Sequence, residues 1–575
     1  MNVLGISCYF HDSAAALVCD GEVAAAAAEE RFTRTKHDPE FPHQAIRFCL
    51  ERGGLLAQDL DAVVFYEKPL VKLDRILSSQ IATFPRSLPA FLKAMPQWLR
   101  RKLRIGRTMA ETLYTGAPCL FADHHTSHAA SSFLTSRFDR AAVLTVDGVG
   151  EWTTTSIGLG EGSSVRLDLD VGFPHSLGLL YSALTHHLGF RVNSGEWKVM
   201  ALAAYGEPTM LDRFQEMVVT RPDGSFRLRM EYFDHHRNPA RLFNRRAHEL
   251  IGPPRRPGDP LTREHHDLAR SGQLLLEQIL LRIVELMHRR YEVPNLCLAG
   301  GVALNCVANG RLVREGPFDA VWVPPAPGDD GGALGAALMA SGVLGTAPVR
   351  SERFSPYLGP EYSTSEIAGF VDRAGVEAEE LAEDDLVERA ADSLAQGRVI
   401  GWFQGRMEFG PRALGNRSIL ASPERQETKD RINELIKGRE PFRPLAPSVL
   451  AESADRLFVD EIDSPFMSFV THARPERAAS IPAILHVDDS ARLQTVDAEA
   501  NPLYDRLLRA FERRTGIPAV LNTSLNVNGQ PIACNPADAL DAATAGGLDE
   551  IYLGRTVIRL GASAALPGRS AAVVR

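Results

Sequence analysis

Two histidines and a following acidic turn are the first residues that could do chemistry. His124 and His128 lie four residues apart, and Asp147 follows the apolar run 141–146 at the start of a glycine-rich turn. Side chains at i and i+4 share one face of a helix, so these two imidazoles can converge on one metal ion, whereas His125 would point elsewhere. The pair alone is a weak indication, because such histidines also cap helices or pack in cores.

A second acidic turn lies far downstream and supplies further candidate ligands. The segment PAPGDDGGALGAAL carries Asp329 and Asp330. Active-site groups usually emerge at the carboxyl ends of strands, which is where Asp147 is expected. Two imidazoles and two carboxylates suit a borderline-to-hard divalent ion such as iron, manganese or zinc, and they do not suit a structural cysteine-type zinc site.

A third group of candidates is cationic and lies in the C-terminal part of the chain. Its members each lie beside glycine, proline or an apolar strand: Arg412, Lys437, Arg439, Arg443 and Arg492. Scattered surface arginines normally have plainly polar surroundings, and guanidinium groups are suited to phosphate oxygens. The group predicts a polyanion pocket, with solvated surface charges as the alternative.

Two further segments could contact an anionic ligand. Residues 294–314 are typical of a strand, the pair Gly300-Gly301 and a helix, and glycines at such a turn let backbone N–H groups approach a phosphate or sugar. A bare glycine pair is a weak indication. The segment EERFTRTKHD places Arg31, Arg34 and Lys36 together. It is either a solvated loop or a cationic rim for an anionic substrate.

The elements that would position these groups repeat along the chain. Residues 2–28 predict a strand, a polar turn with His11 and Asp12, and two strands joined by Asp20-Gly21, a good hairpin signal. Residues 141–160 repeat the strand, acidic turn and strand. This opening is that of the actin-like ATPase fold, whose halves each contain a β-β-β-α-β-α-β-α unit. We therefore expect two copies of one unit with the ligand between them.

Composition limits the class of protein. With 575 residues the chain is too long for one core, and the irregular segment 341–365 predicts domains at 1–350 and 351–575. A net charge of −9 argues against a nucleic-acid partner. Seven cysteines without CxxC spacing indicate reduced thiols. No signal-peptide pattern and no long apolar run is found, so we expect a cytoplasmic protein with no membrane span or membrane partner.

Specific motifs carry a family resemblance over nearly the whole chain. They are FHDSAAAL, EERFTRTKH, HHTSHAASSF, LTVDGVGEWTT, GEWKVMALAAYG, GGVALNC, PGDDGGALGAA, FGPRALGNRSILA, REPFRPLAPSVL, HVDDSARLQTV and NTSLNVNGQPI. The chain resembles the antibiotic and nodulation-factor O-carbamoyltransferases, a group that includes the tobramycin and cephem carbamoyltransferases.

The resemblance implies an α/β protein with two catalytic domains. Residues 1–350 would form an actin-like carbamoyl-transfer domain similar to the tRNA threonylcarbamoyl transferase, with a bound metal. Residues 351–575 would be similar to the threonylcarbamoyl-AMP synthase, a YrdC-like fold. Carbamoyl phosphate and ATP, with Mg²⁺, would give carbamoyl-AMP, pyrophosphate and phosphate. A hydroxyl of a small-molecule natural product, as in antibiotic biosynthesis, would then take the carbamoyl group.

The resemblance also implies roles for individual residues. The ligands of Fe(II) or another divalent metal would be His124, His128, Asp147 and Asp329, with Asp329 preferred to Asp330 because it directly follows glycine. Lys437 and Ser524 would be catalytic in the synthase-like domain. From the residue patterns and the resemblance together, the predicted nucleotide- and phosphate-binding residues are Lys36, Gly300, Gly301, Asn305, Arg412, Arg439, Arg443, Arg492 and Asn526. His11 is the best-placed imidazole outside the metal set to act as the base.

Two other functions are compatible with parts of the sequence. One is a tRNA threonylcarbamoyl transferase fused to its synthase, which the acidic net charge disfavours. The other is a non-catalytic, actin-like ATP-binding scaffold, which leaves the arginine-rich C-terminal domain unexplained. The sequence leaves open the acceptor, the metal and the oligomeric state, with a homodimer among the candidates.

Overall fold

The first sheet of the N-terminal half begins with the predicted hairpin. The computed structural model describes residues 1–221, 224–238 and 240–560, so residues 561–575 of the predicted second domain lie outside the described part. The strands are β1 (Asn2–Ser7), β2 (Ala14–Cys19), β3 (Glu22–Ala28), β4 (Ala62–Phe65) and β5 (Cys119–Phe121). Asp20 and Gly21 both have positive φ, as a tight hairpin turn requires. Strands β1–β3 are antiparallel, and β4 and β5 add in parallel in the order β3-β2-β1-β4-β5.

The second sheet repeats the first. Its strands are β6 (Arg140–Val146), β7 (Thr153–Glu161) and β8 (Ser164–Gly172), followed after a separate pair, β9 (Val218–Thr220) and β10 (Phe226–Leu228), by β11 (Asn295–Ala299) and β12 (Ala320–Trp322). The order β8-β7-β6-β11-β12 and the strand directions match those of the first sheet. The predicted duplication is therefore present.

Helices cover these sheets, and two of them pack together between the halves. They are α1 (Glu30–Thr33), α2 (His43–Gly53), α3 (Pro69–Thr83), α4 (Leu88–Arg100), α5 (Ile105–Leu113), α6 (His124–Phe133), α7 (Leu177–His187), α8 (Glu196–Leu202), α9 (Leu211–Glu216), α10 (Arg245–Ile251), α11 (Arg263–Tyr291), α12 (Cys306–Glu315) and α13 (Asp329–Val343). Helix α13 lies on the first sheet and α6 on the second, and the two contact each other. None of the helices in the described ranges is both long enough and apolar enough to cross a bilayer.

The C-terminal part has its own mixed sheet and its own core. The helices are α14 (Thr364–Ala374), α15 (Glu383–Ala395), α16 (Gln426–Arg431), α17 (Pro475–Ala478), α18 (Pro502–Thr515) and α19 (Pro536–Ala545). The strands are β13 (Glu379–Glu380), β14 (Ile400–Phe403), β15 (Arg417–Ala421), β16 (Ala446–Leu450), β17 (Phe469–His472), β18 (Ser490–Val496), β19 (Ala519–Ser524), β20 (Glu550–Leu553) and β21 (Thr556–Arg559), in the order β13-β21-β20-β14-β15-β19-β16-β18-β17. Buried side chains between residues 367 and 558 form this core.

The cationic segment after β3 joins the two parts. The buried Arg31 donates to the carbonyl oxygen of Gly410 at 2.8 Å, and Arg34 donates to the carbonyl oxygens of Pro531 and Ile532 at 2.8 and 2.6 Å. Arg31 is buried and Arg34 is partly exposed, and both bind backbone oxygens of the C-terminal part of the chain. The solvated-loop interpretation was therefore wrong for Arg31, whereas the cationic rim stays a prediction.

Candidate functional site

Four buried side chains converge between the two halves of the N-terminal domain. His124 and His128 come from one face of α6, Asp147 follows β6, and Asp329 is the first residue of α13. One ligand atom from each lies within 4.8 Å of the other three. The two Nε2 atoms are 3.1 Å apart, and the Oδ1 atom of Asp329 lies 3.4 Å from the Nε2 atom of His128. The geometry brings together the four residues predicted as ligands, and their role in holding a metal stays a prediction.

The chemistry of this set fits a divalent ion. The Oδ2 atom of Asp329 is buried without a hydrogen-bond partner among the described residues. A buried carboxylate oxygen without a partner is costly unless something positive binds it. Two imidazole nitrogens and two carboxylates match the ligand types of iron, manganese and zinc.

The glycine pair after β11 positions Asp147. The backbone N–H of Gly301 donates to the Oδ1 atom of Asp147 at 2.9 Å. Gly300 has a φ of 89°, and a Cβ there would lie 2.3 Å from the carbonyl oxygen of Val146. Only glycine permits this close approach of two turns. The pair was predicted to contact a nucleotide, and the structure gives it a further role in orienting Asp147.

The neighbouring polar residues His125 and Asp330 face away from the cluster. The Nδ1 atom of His125 lies 2.6 Å from the hydroxyl of Thr145, and burial lowers the pKa of His125 to about 3. Burial, together with the charge of Asp12, raises the pKa of Asp330 to about 7. Of the two adjacent acids, Asp329 is the one that faces the histidines, since its Oδ1 atom lies 3.6 Å from the Nε2 atom of His124 and 3.4 Å from that of His128.

His11 lies at the edge of the cluster. Its Nδ1 atom is 2.8 Å from Asp12, and its Nε2 atom faces Asp329 at 3.9 Å. Burial opposes protonation of His11, but the carboxylates of Asp329 and Asp12 outweigh it and raise the pKa of His11 to about 9. Asp12 also binds His37 at 2.7 Å, so its carboxylate orients two imidazoles. The role of His11 as a base stays a prediction.

A second cluster lies in the C-terminal domain around Lys437. This buried ammonium group donates to the carbonyl oxygens of Ser524 and Asn526 and to the side-chain oxygen of Asn526. The hydroxyl of Ser524 donates to the same side-chain oxygen at 2.7 Å. Burial and the charges of Arg439 and Arg443 lower the pKa of Lys437 well below its usual range. The three residues Lys437, Ser524 and Asn526, predicted as one site, lie in contact.

Four arginines extend this second cluster. The charges of Arg439 and Arg443 act on Lys437, and Arg412 and Arg492 lie close enough to Arg443 for their charges to interact with it. Burial and neighbouring guanidinium charges lower the pKa of Arg412 to about 9. Three of these arginines have a buried nitrogen without a hydrogen-bond partner among the described residues. The nitrogens are Nη2 of Arg439, Nε of Arg443 and Nε of Arg492. Burying guanidinium N–H donors without hydrogen-bond partners, next to other positive charges, costs free energy. An anion with several oxygens would accept hydrogen bonds from these donors and balance their charge.

Two predicted binding residues have different surroundings. Lys36 reaches the second cluster from the N-terminal domain; desolvation and the charges of Arg31 and Arg443 lower its pKa. Asn305 instead caps α12, where its side chain accepts from the N–H of Ala308 and bonds twice to Gln273. That amide is engaged in structural hydrogen bonds, and a nucleotide-binding role for Asn305 stays a prediction.

The sequence did not reveal the side chains that connect the two domains beside the arginines. The guanidinium of Arg443 lies 3.5 Å from the ring centre of Trp197, and Lys198 pairs with Glu440 at 2.6 Å. Trp197 and Lys198 both belong to the segment GEWKVMALAAYG, which the sequence presented only as one of the family motifs. The adjacent aromatic and cationic residues of this segment, Trp197 and Lys198, were the sequence signal that could have indicated these contacts.

Comparison with known proteins identifies the family. A family model described as carbamoyltransferase N-terminus matches residues 2–338, and one described as carbamoyltransferase C-terminus matches residues 391–560. The chain belongs to the carbamoyltransferase family. The resemblance predicted from the motifs is therefore confirmed, and the protein is a carbamoyltransferase.

Relatives of this carbamoyltransferase cover most of its length. It is 46% identical over 578 residues to an uncharacterised protein of Synechocystis, covering 94% of this chain and 93% of that one. It is 39% identical over 570 residues to the nodulation protein NolNO of Sinorhizobium fredii, covering 96% and 79%. Among solved structures, component A of the (R)-2-hydroxyglutaryl-CoA dehydratase of Acidaminococcus fermentans aligns with a TM-score of 0.32 and 14% identity, covering 59% of this chain and 96% of that one.

Proposed function

We propose that this carbamoyltransferase is ATP-dependent and carries out two reactions in two domains. Carbamoyl phosphate, water and ATP give carbamoyl-AMP, phosphate and pyrophosphate at the Lys437 cluster. An acceptor hydroxyl oxygen then bonds to the carbamoyl carbon at the histidine cluster while the bond from that carbon to AMP breaks. The bonding electrons leave with AMP, and the hydroxyl proton passes to a base.

The observation that carries the proposal is that a separate, chemically different cluster exists in each domain. The Lys437 cluster contains a buried ammonium group and four arginines, three of which have buried nitrogens without a hydrogen-bond partner among the described residues. Guanidinium and ammonium groups bind phosphate oxygens and stabilise the charge that develops on a leaving phosphate. These are the requirements of a site that uses ATP and carbamoyl phosphate.

The histidine cluster supplies the requirements of the second reaction. His124, His128, Asp147 and Asp329 would hold Fe(II) or another divalent ion, which when bound would act as a Lewis acid. His11 presents its Nε2 atom to the cluster because Asp12 holds its Nδ1 atom at 2.8 Å. The carboxylates that raise the pKa of His11 to about 9 include two of the proposed metal ligands, so a bound cation would offset their charge and leave His11 neutral and able to accept the proton of a hydroxyl. The acceptor we propose is a hydroxylated small-molecule natural product.

Isotope-labelled carbamoyl phosphate tests the proposal. The protein is incubated with the label, ATP and Mg²⁺, first alone and then with aminoglycoside, cephem, macrolide and ansamycin alcohols, and products are separated by mass spectrometry. We expect labelled carbamoyl-AMP without acceptor and a labelled carbamate ester with at least one acceptor class. Transfer of the label to an acceptor in the absence of ATP would contradict the adenylate route.

A further inference from the structure

Helix α3 is amphipathic in the opposite sense to an ordinary surface helix. Its buried face carries Lys72, which pairs with the buried Glu67, and Arg75, which lies 5.0 Å from the ring centre of Phe173. Its outer face carries Leu70 and Ile81, whose exposed fractions are 73% and 78%. Surface helices of globular proteins normally turn their apolar residues to the core. The exposed apolar residues of α3 are therefore not explained by packing within this chain.

Helix α4 continues the exposed apolar surface. It contacts α3 and exposes Leu88, Leu92 and Leu99, while Trp98 is buried. Eight of the twenty exposed large apolar side chains in the described part of the chain lie here: Leu70, Val71, Leu77, Ile81, Phe84, Leu88, Leu92 and Leu99. We call this set the α3–α4 face. Single exposed apolar residues need no explanation, but a cluster of this kind marks an interaction site.

The charge of the same segment is opposite to that of the whole chain. Residues 69–113 contain nine lysines and arginines and two acids, whereas the chain carries a net charge of −9. Several of these cations are exposed, and among the described residues Arg86, Lys93, Arg100 and Arg104 have no ion pair. The α3–α4 face is therefore flanked by free positive charge.

We propose that the α3–α4 face docks on an anionic phospholipid surface. Amphipathic helices with long apolar side chains and lysines or arginines beside them lie in the plane of the membrane interface, where both parts are satisfied. Nucleic acid would leave the apolar side chains without partners. A symmetric contact with a second copy would bring like charges together.

Docking on a lipid surface differs from the expectation, drawn from the sequence, that the protein has no membrane partner. The absence of a long apolar run excludes a helix that spans a bilayer, but a helix that lies on the surface needs no such run. The proposal is also independent of the proposed reaction, because lipid binding is measured without carbamoyl phosphate, ATP or acceptor.

Co-sedimentation of the full-length protein with vesicles tests the proposal. We expect binding to phosphatidylcholine vesicles that contain phosphatidylglycerol, weaker binding to phosphatidylcholine alone, and weakening at high salt. The double variant Lys93→Gln/Arg100→Gln should lose about fivefold in affinity per cation removed. The double variant Ile81→Ser/Phe84→Ser should lose at least tenfold, since it removes two apolar side chains that would be buried in the lipid.

A matched control uses apolar residues that are equally exposed elsewhere. Leu56 and Val343 are 70% and 79% exposed and lie outside the α3–α4 face. Leu56→Ser/Val343→Ser should bind vesicles as the unmodified protein does, with circular dichroism showing that all variants are folded. Failure of the unmodified protein to bind anionic vesicles at low salt would overturn the proposal. So would a lipid-free dimer, seen by analytical ultracentrifugation, that Ile81→Ser/Phe84→Ser dissociates.

Discussion

Replacing Gly335 with alanine should disrupt the predicted metal site from a position outside it. Gly335 lies in α13, the helix that begins with Asp329, at the point where α13 contacts α6. A Cβ atom at Gly335 would lie 1.9 Å from the carbonyl oxygen of Ser127, the residue before His128. The added methyl group therefore pushes directly on the helix that carries the two histidines.

The size of the displacement follows from this contact. Real Cβ atoms essentially never approach a neighbour closer than 3.0 Å, so α13 and α6 must separate by about 1 Å. Metal–ligand distances tolerate only about 0.2 Å. Overpacking of this kind costs about 1–3 kcal/mol in the free energy of unfolding. We expect Gly335→Ala to lose most of its metal affinity and part of its stability.

The assay combines elemental analysis after dialysis against Fe(II), Mn(II) or Zn(II) with thermal unfolding. Gly342→Ala is the matched control, because Gly342 lies in the same helix and the nearest atom to its Cβ would be 3.6 Å away. That variant should bind metal normally and gain up to about 1 kcal/mol in stability. If Gly335→Ala has the same metal stoichiometry and the same unfolding temperature as the unmodified protein, the reasoning is refuted.

Other variants test other parts of the structure. His128→Ala should lose bound metal by elemental analysis and retain carbamoyl-AMP synthesis, whereas His125→Asn should keep its metal; equal metal content in both would contradict the ligand set. His11→Asn should form carbamoyl-AMP and slow transfer about 10²–10⁴-fold in single-turnover assays; an unchanged rate would exclude His11 as the base. Glu550→Gln should cost about 2 kcal/mol in urea unfolding at neutral pH, because the buried carboxylate accepts from Ser393 and Tyr552. Burial opposes ionisation of Glu550, but hydrogen bonds from Ser393 and Tyr552 and the charges of Arg398 and Arg389 outweigh it and lower the pKa of Glu550. The ionised carboxylate therefore stabilises the folded protein fully at pH values above the ordinary glutamate pKa, and this stabilisation is lost as the pH falls through the lowered pKa. The difference in stability between the unmodified protein and Glu550→Gln should shrink below about pH 4.

The N-terminal fold could be predicted because its signals are local. The Asp20-Gly21 turn, the apolar runs and the repeated acidic turn each depend on a few adjacent residues. The convergence of His124 and His128 follows from helical spacing alone. Since Asp147 and Asp329 follow strands or turns at the same edge, their approach to the histidines could also be expected.

The remaining features depend on partners that are distant in sequence. Arg31 binds the carbonyl oxygen of Gly410, 379 residues away, and Asn305 pairs with Gln273, 32 residues away. No local pattern specifies such partners. The contact of the glycine pair with Asp147 could have been found, because β11 pairs in parallel with β6 and brings the two following turns side by side. The assignment of a synthase-like fold to the C-terminal sheet stays a prediction.

The assignment of carbamoyl-AMP synthesis to the Lys437 cluster and of transfer to the histidine cluster is tested most directly by exchange of labelled pyrophosphate into ATP. The exchange is measured with and without carbamoyl phosphate. This assay needs no acceptor. We expect carbamoyl-phosphate-dependent exchange by the unmodified protein and by His128→Ala, and none by Lys437→Ala shown to be folded by circular dichroism. No exchange by the unmodified protein, or exchange at the unmodified rate by Lys437→Ala, would contradict an adenylate-forming site at Lys437.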